Sequence, residues 1–147
     1  MNQVRSSPSG GKADNARPVN GSEGDAWERV LGQVRLKLTD SETLVVSGLV
    51  MDMDPGKVLM PHITELHERV VAQHRHQFAV DVRALTFVNS SGIRVFIDWL
   101  GLIQRSGRAY TLRVIMDPGI TWQRLTFGAL ESVARGAVTL EKRQKGS

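Results

Sequence analysis

The chain has 147 residues, a formal net charge of +4 and no cysteine. That length suits one domain with a real core, and the missing thiols exclude a disulfide framework and a thiolate metal site. Its Lys and Arg residues are scattered and interleaved with acids, which argues for a solvated basic surface and against binding to DNA or other nucleic acid.

No apolar run is long enough to span a bilayer, and no apolar signal core opens the chain. The expectation is a cytoplasmic protein with no membrane partner. Residues 1–24 are rich in Ser, Gly, Asn and Pro, with Met1, Val4 and Val19 as the larger apolar residues. Such a segment cannot bury enough surface to offset its ordering entropy. A disordered arm is therefore expected over 1–24, a domain over 25–141 and a charged tail over 142–147. Gly10-Gly11-Lys12 fails as a phosphate loop, because Ser6 stands where Gly is needed and Ala13 where Ser or Thr is needed.

Trp27, Val30 and Leu31 lie at helical or turn spacing, so a short packing segment is read over 25–32. Val34, Leu36 and Leu38 alternate with polar residues, which predicts a half-exposed strand. Asp40-Ser41-Glu42 is a turn, and 44–50 is a continuous apolar run, the pattern of a central strand. So short a connection predicts an antiparallel hairpin. Residues 51–60 form a loop that holds Asp52 and Asp54. A helix follows with Ile63, Leu66, Val70 and Val71 on one face. It opens at Pro55 or Pro61, and the early start places Pro61 inside it as a kink.

Phe78, Val80 and Val82 alternate with Ala79, Asp81 and Arg83, the period of a strand. Asn89-Ser90-Ser91-Gly92 then supplies the oxygens that cap a helix start. Ile93, Phe96, Ile97, Leu100 and Ile103 share one helical face through about residue 105, where Ser106-Gly107 ends the helix and Gly107 is a left-handed cap. Tyr110, Leu112 and Val114 alternate in another strand. Asp117-Pro118-Gly119 is turn chemistry, 121–130 reads as a short amphipathic helix, and 137–140 as a last strand. The order β-β-α-β-α-β-α-β describes a small α/β fold, a mixed sheet packed with helices. Two hydroxyls sit at a helix mouth beside the carboxyl end of a strand, where ligands of open α/β sheets tend to lie.

Other chemistry is thinner. His62, His67, His74 and His76 cluster in sequence, and His67 and His74 could share a helix face, but an exposed basic helix end explains them better than a metal site. Asp52 and Asp54 read as turn residues rather than cation ligands. Ser90 and Ser91 lack a G-x-S-x-G frame, and no His follows His76 to act as a late base. No catalytic residue, cofactor or metal is expected. From spacing alone the Ser pair is a helix cap and nothing more.

The run Val80-Asp81-Val82 … Phe87-Val88-Asn89-Ser90-Ser91-Gly92-Ile93 resembles the signature of the STAS domain, the fold of bacterial anti-sigma-factor antagonists and related partner-switching proteins. The resemblance spans about residues 33–141. It implies a regulatory module without catalysis, switched by phosphorylation of the hydroxyl just before the glycine. That hydroxyl is Ser91, with Ser90 less favoured and Asn89 and Gly92 as its neighbours. Asn89 stands where the family usually carries Asp. The implied partners are a GHKL-type serine kinase that doubles as anti-sigma factor and a PP2C-type phosphatase, with homodimerisation left open. The runner-up is a small-ligand or nucleotide-sensing module that uses the same strand-end crevice without phosphorylation.

The apolar residues over 93–103 cover more of the helix circumference than packing on a sheet requires. Val95, Trp99 and Leu102 form a second stripe, expected to be partly exposed and to anchor a partner together with Arg94 and Asp98.

Overall fold

The computed structural model describes residues 27–39 and 42–144. The expected arm, the end of the charged tail and Asp40-Ser41 of the first turn lie outside the described residues. The strands are β1 (Glu28–Leu31), β2 (Val34–Leu38), β3 (Thr43–Val50), β4 (Gln77–Asp81), β5 (Leu85–Val88), β6 (Thr111–Met116) and β7 (Val138–Lys142). The helices are α1 (Pro55–Ala72), α2 (Ser90–Arg105) and α3 (Thr121–Val133). The fold is α/β, and its single mixed sheet runs β1-β2-β3-β4-β6-β7, with β5 also paired to β3.

The first three strands are antiparallel neighbours, and every later pairing is parallel. The steps from β3 to β4, β4 to β6 and β6 to β7 all move the same way across the sheet. Each spans a helix, and the right-handed rule then puts all three helices on one face. Burial agrees: Val34, Leu36 and Leu38 of β2 are buried while Arg35 and Lys37 are exposed. The inward residues of the strands and the apolar faces of all three helices form one core cluster.

Two strands differ from the sequence reading. Residues 28–31 are a strand, not a helical or turn segment. Leu31 pairs with Val34 across the two-residue loop Gly32-Gln33. Gly32 takes φ 64°, the left-handed value that a tight hairpin asks of its first turn residue. The apolar run after residue 78 also breaks in two. Asp81 accepts from the backbone N–H of Arg83 and forks with its guanidinium at 2.8–3.3 Å, so the chain turns at 82–84 before β5 resumes. β4 and β5 thus lie end to end along one edge of β3, with a register shift between Gly48 and Leu49.

Helix α1 takes the earlier of its two openings, so Pro61 lies inside it. The missing N–H there removes one helical bond, and Pro61 stays on the exposed side. Gly107 closes α2 at φ 77° as expected.

Candidate functional site

The carboxyl ends of β3 and β5 are joined: Val50 pairs with Val88, and the Asn89 N–H donates to the Val50 carbonyl at 3.0 Å. Asn89 is the N-cap of α2, and its Oδ1 accepts from the Gly92 N–H at 2.8 Å. Its Nδ2 donates to the Asp52 carbonyl at 2.9 Å. One amide therefore caps the helix and ties the β3–α1 loop to its mouth. An Asp at 89 could accept but not donate, so it would lose the second bond. Gly92 is needed for space: a Cβ there would lie 2.6 Å from a methyl of Val50 and of Val88. The helix mouth sits directly on the two strand ends for that reason.

Because Asn89 makes the cap bond, Ser90 and Ser91 are left exposed as the first two helical residues. The N–H groups of Gly92 and Ile93 bond back to Asn89, whereas those of Ser90 and Ser91 belong to the open first turn, which favours anions. Arg94, three residues beyond Ser91 and so on the same side of the helix, is exposed; Asp98 is exposed a further turn along.

Around the mouth the surface is apolar in a way the sequence did not reveal. Met51 and Met53 of the loop tied by Asn89 are exposed, Met53 by 96 %, and so is Phe87 of β5. Neither Met has a periodic signal, since both stand in an irregular loop between acids. Asp52 and Asp54 are exposed beside them, and Asp54 precedes α1 without a side-chain cap bond.

The second apolar stripe of α2 is not a partner surface. Trp99 is 1 % exposed and Val95 is buried, while Leu102 is partly buried and packs against the core. The reason is the position of α2, which lies between α1 and α3 and must bury its flanks as well as its sheet side. Val95 and Trp99 share a hydrophobic pocket with Leu59 and Ile63 of α1. On the other flank the edge of Phe96 meets Phe127 of α3 at 5.2 Å. The residue left out is Ile97, assigned to the core by the sequence pattern and 50 % exposed.

Trp99 also belongs to a buried polar chain. Its Nε1–H donates to the Tyr110 hydroxyl at 2.9 Å, and that hydroxyl lies 2.8 Å from His67 Nδ1. Indole can only donate, so the phenol accepts there, while the direction of its bond with His67 Nδ1 follows the imidazole tautomer. Burial pushes the Tyr110 phenol up to about 12, against the opposing bond from Trp99. Burial also lowers the His67 imidazole, with Arg105 adding to the effect and Glu68 opposing it. His67 Nδ1 is thus engaged in the core, while His74 stands exposed beyond α1, so the two do not form a shared face for a metal. Among the described residues no group of three or more His, Cys, Asp or Glu is placed to hold a metal ion.

Gln123 went unnoticed in the sequence. It is fully buried, donates through Nε2 to the carbonyls of Val82 and Leu85 at 2.7 and 3.0 Å, and accepts from the Asp117 N–H. Trp122 donates to the Thr86 carbonyl at 3.1 Å. The start of α3 therefore fills the gap that opens beside β6 where β4 ends and β5 turns away. Asp81 supports the same turn: burial alone would raise its carboxyl, but the hydrogen bonds and charge of Arg83 outweigh this and hold it below the usual range.

A wide groove lies elsewhere. It runs between α2 and α3, has a volume of about 670 Å³, and ends at Arg108 and Arg135. Those residues follow the two helices at the amino ends of the strands, opposite Ser91. Among the described residues no helix is long and apolar enough to cross a membrane. Neither a scan of protein-family models nor a search of curated proteins returns a match to this chain.

Proposed function

We propose that the chain is a regulatory protein–protein interaction module of STAS type, an anti-sigma-factor antagonist or a related partner-switch component, controlled by phosphorylation of Ser91. It acts in the cytoplasm, without catalysis of its own. Its partners are a GHKL-type serine kinase that doubles as anti-sigma factor and a PP2C-type phosphatase. The observation that carries this reading is the exposed Ser91 hydroxyl at the second position of a helix whose cap is made by Asn89. The hydroxyl is free for transfer because the helix does not use it as its cap.

A phosphate on Ser91 is tolerated by the fold, since the open first turn and the dipole favour an anion. Arg94, one turn away on the same side, offers it a charge-assisted hydrogen bond. The cost falls on the partner, which would have to desolvate a dianion beside Met51 and Met53. Asn89 does not oppose this reading, since it supplies the cap and adds a tether that Asp could not make.

The test uses extract of the source cells with labelled ATP. Phosphate should appear on Ser91 and vanish in Ser91→Ala, which should retain partners constitutively in a pull-down. Ser91→Asp should release them while the melting temperature stays at or above that of Ser91→Ala, because a carboxylate in the first turn is stabilising. If folded Ser91→Asp holds every partner as tightly as wild type, Ser91 is not a switch.

A further inference from the structure

We propose that the groove between α2 and α3 binds a long-chain carboxylate, its hydrocarbon tail on Ile93, Ile97, Leu100 and Leu130 and its head on Arg108 and Arg135. The groove's volume, about 670 Å³, falls in the range of small-ligand sites, roughly 300–1,000 Å³. Its wall is apolar, and no acid lines it.

The charges at its end are the informative part. Arg29, Arg35, Arg69, Arg75 and Arg83 each pair with a carboxylate. Arg108 and Arg135, like Arg94 and Arg124, have no ion pair among the described residues, and these two are set apart by being exposed at the same end of one groove. A side-chain carbon at Gly136 would come within 3.4 Å of Arg108 Nη1, which places that guanidinium next to the chain at Arg135. Two like charges gathered at the end of an apolar slot are complementary to an anionic head on an apolar tail. Arg108 also holds φ 58°, a conformation costly for a side chain with a Cβ.

The slot's length sets the tail. Ile93 to Gln104 spans eleven helical steps, ~16 Å at about 1.5 Å each, which suits an extended chain of about a dozen carbons. Gly101 keeps the wall low in the middle, where a side chain would meet only the end of Arg105 at 3.3 Å. The arginine end of the groove lies at the far end of α2 from Ser91, and the proposal does not rest on phosphorylation.

The experiment is calorimetric titration of the full chain with sodium dodecanoate below its micelle concentration, beside dodecanol and dodecyltrimethylammonium. Dodecanoate should bind one to one in the micromolar range, with the neutral and cationic analogues weaker by about tenfold or more. The double variant Arg108→Gln/Arg135→Gln should bring dodecanoate down to the level of dodecanol. Gly101→Leu should abolish binding of all three while keeping or raising the melting temperature, because it fills the slot and removes a helical glycine. Equal binding of acid and alcohol, or an unchanged double variant, overturns the proposal. So does a dimer that Ile97→Asp dissociates, which would assign the groove to a second copy.

Discussion

Gly92 and His67 each decide more than their residue type announces. Gly92→Ala would drive a methyl into two strand-end valines that cannot withdraw, because both are core residues. Overpacking of this kind costs about 1–3 kcal/mol, and chemical denaturation should show a loss in that range. A stable Gly92→Ala would mean that the helix mouth can lift from the strands. For His67, the folded pKa lies below the free value of 6.5. The unfolded chain therefore takes the proton first, and the contribution to stability is full above pH 6.5 and declines as pH falls toward the folded value. His62 shifts in the same direction, through burial and Arg29, with Glu65 opposing. The melting temperature should fall between pH 7 and pH 5, and His67→Gln, which can bond to the Tyr110 hydroxyl in either direction but does not titrate, should flatten part of that fall. An identical slope in the variant would assign the effect to other groups.

At the scale of elements, the sequence showed most where one period governs one face. The strands around Leu36, Val46, Val80 and Val114 and all three helices were legible. The first strand was not, because Trp27, Val30 and Leu31 fit a helical spacing and a lone Gly32 does not by itself mark a hairpin turn. The division of β4 from β5 was hidden for a different reason. Asp81 and Arg83 look like outward residues of one strand until their fork is seen to close a turn. The start of α2 was legible to within two residues, but spacing alone made the Ser pair the cap where Asn89 is, and the Asn89 bond to the Asp52 carbonyl joins residues 37 apart and leaves no local pattern. Helix α2 misled because a middle helix of a three-helix layer carries a broad apolar arc, and breadth alone does not say which flank is covered. The consequence is measurable. Trp99→Ala removes a buried ring and the partner of Tyr110, and should cost about 3–5 kcal/mol. If it instead melts like wild type, Trp99 is not in the core.

Across the whole molecule, right-handed crossovers that all run one way put α1, α2 and α3 on one face. Both ends of that layer carry distinct chemistry. At the carboxyl ends of the strands lie Ser91 and the exposed Met51 and Met53; at the amino ends Arg108 and Arg135 close an apolar groove. With Trp99 buried, the partner proposed above needs another apolar anchor, and the exposed Met51 and Met53 are the candidates, since flexible thioethers suit a surface that engages more than one protein. The Asn89 bond ties their loop to the helix mouth, so on the proposed function a phosphate on Ser91 would repel a partner seated on that loop. On the proposed function, replacing Met51 and Met53 together with Ala should lower affinity for a partner retained in the pull-down about tenfold, ~1.4 kcal/mol. The melting temperature should stay near that of wild type, because neither side chain is in the core. Calorimetry on the purified pair reads the first quantity and a thermal scan the second. Wild-type affinity in the double variant would remove the strand-end surface from the interface and move the docking face away from Ser91.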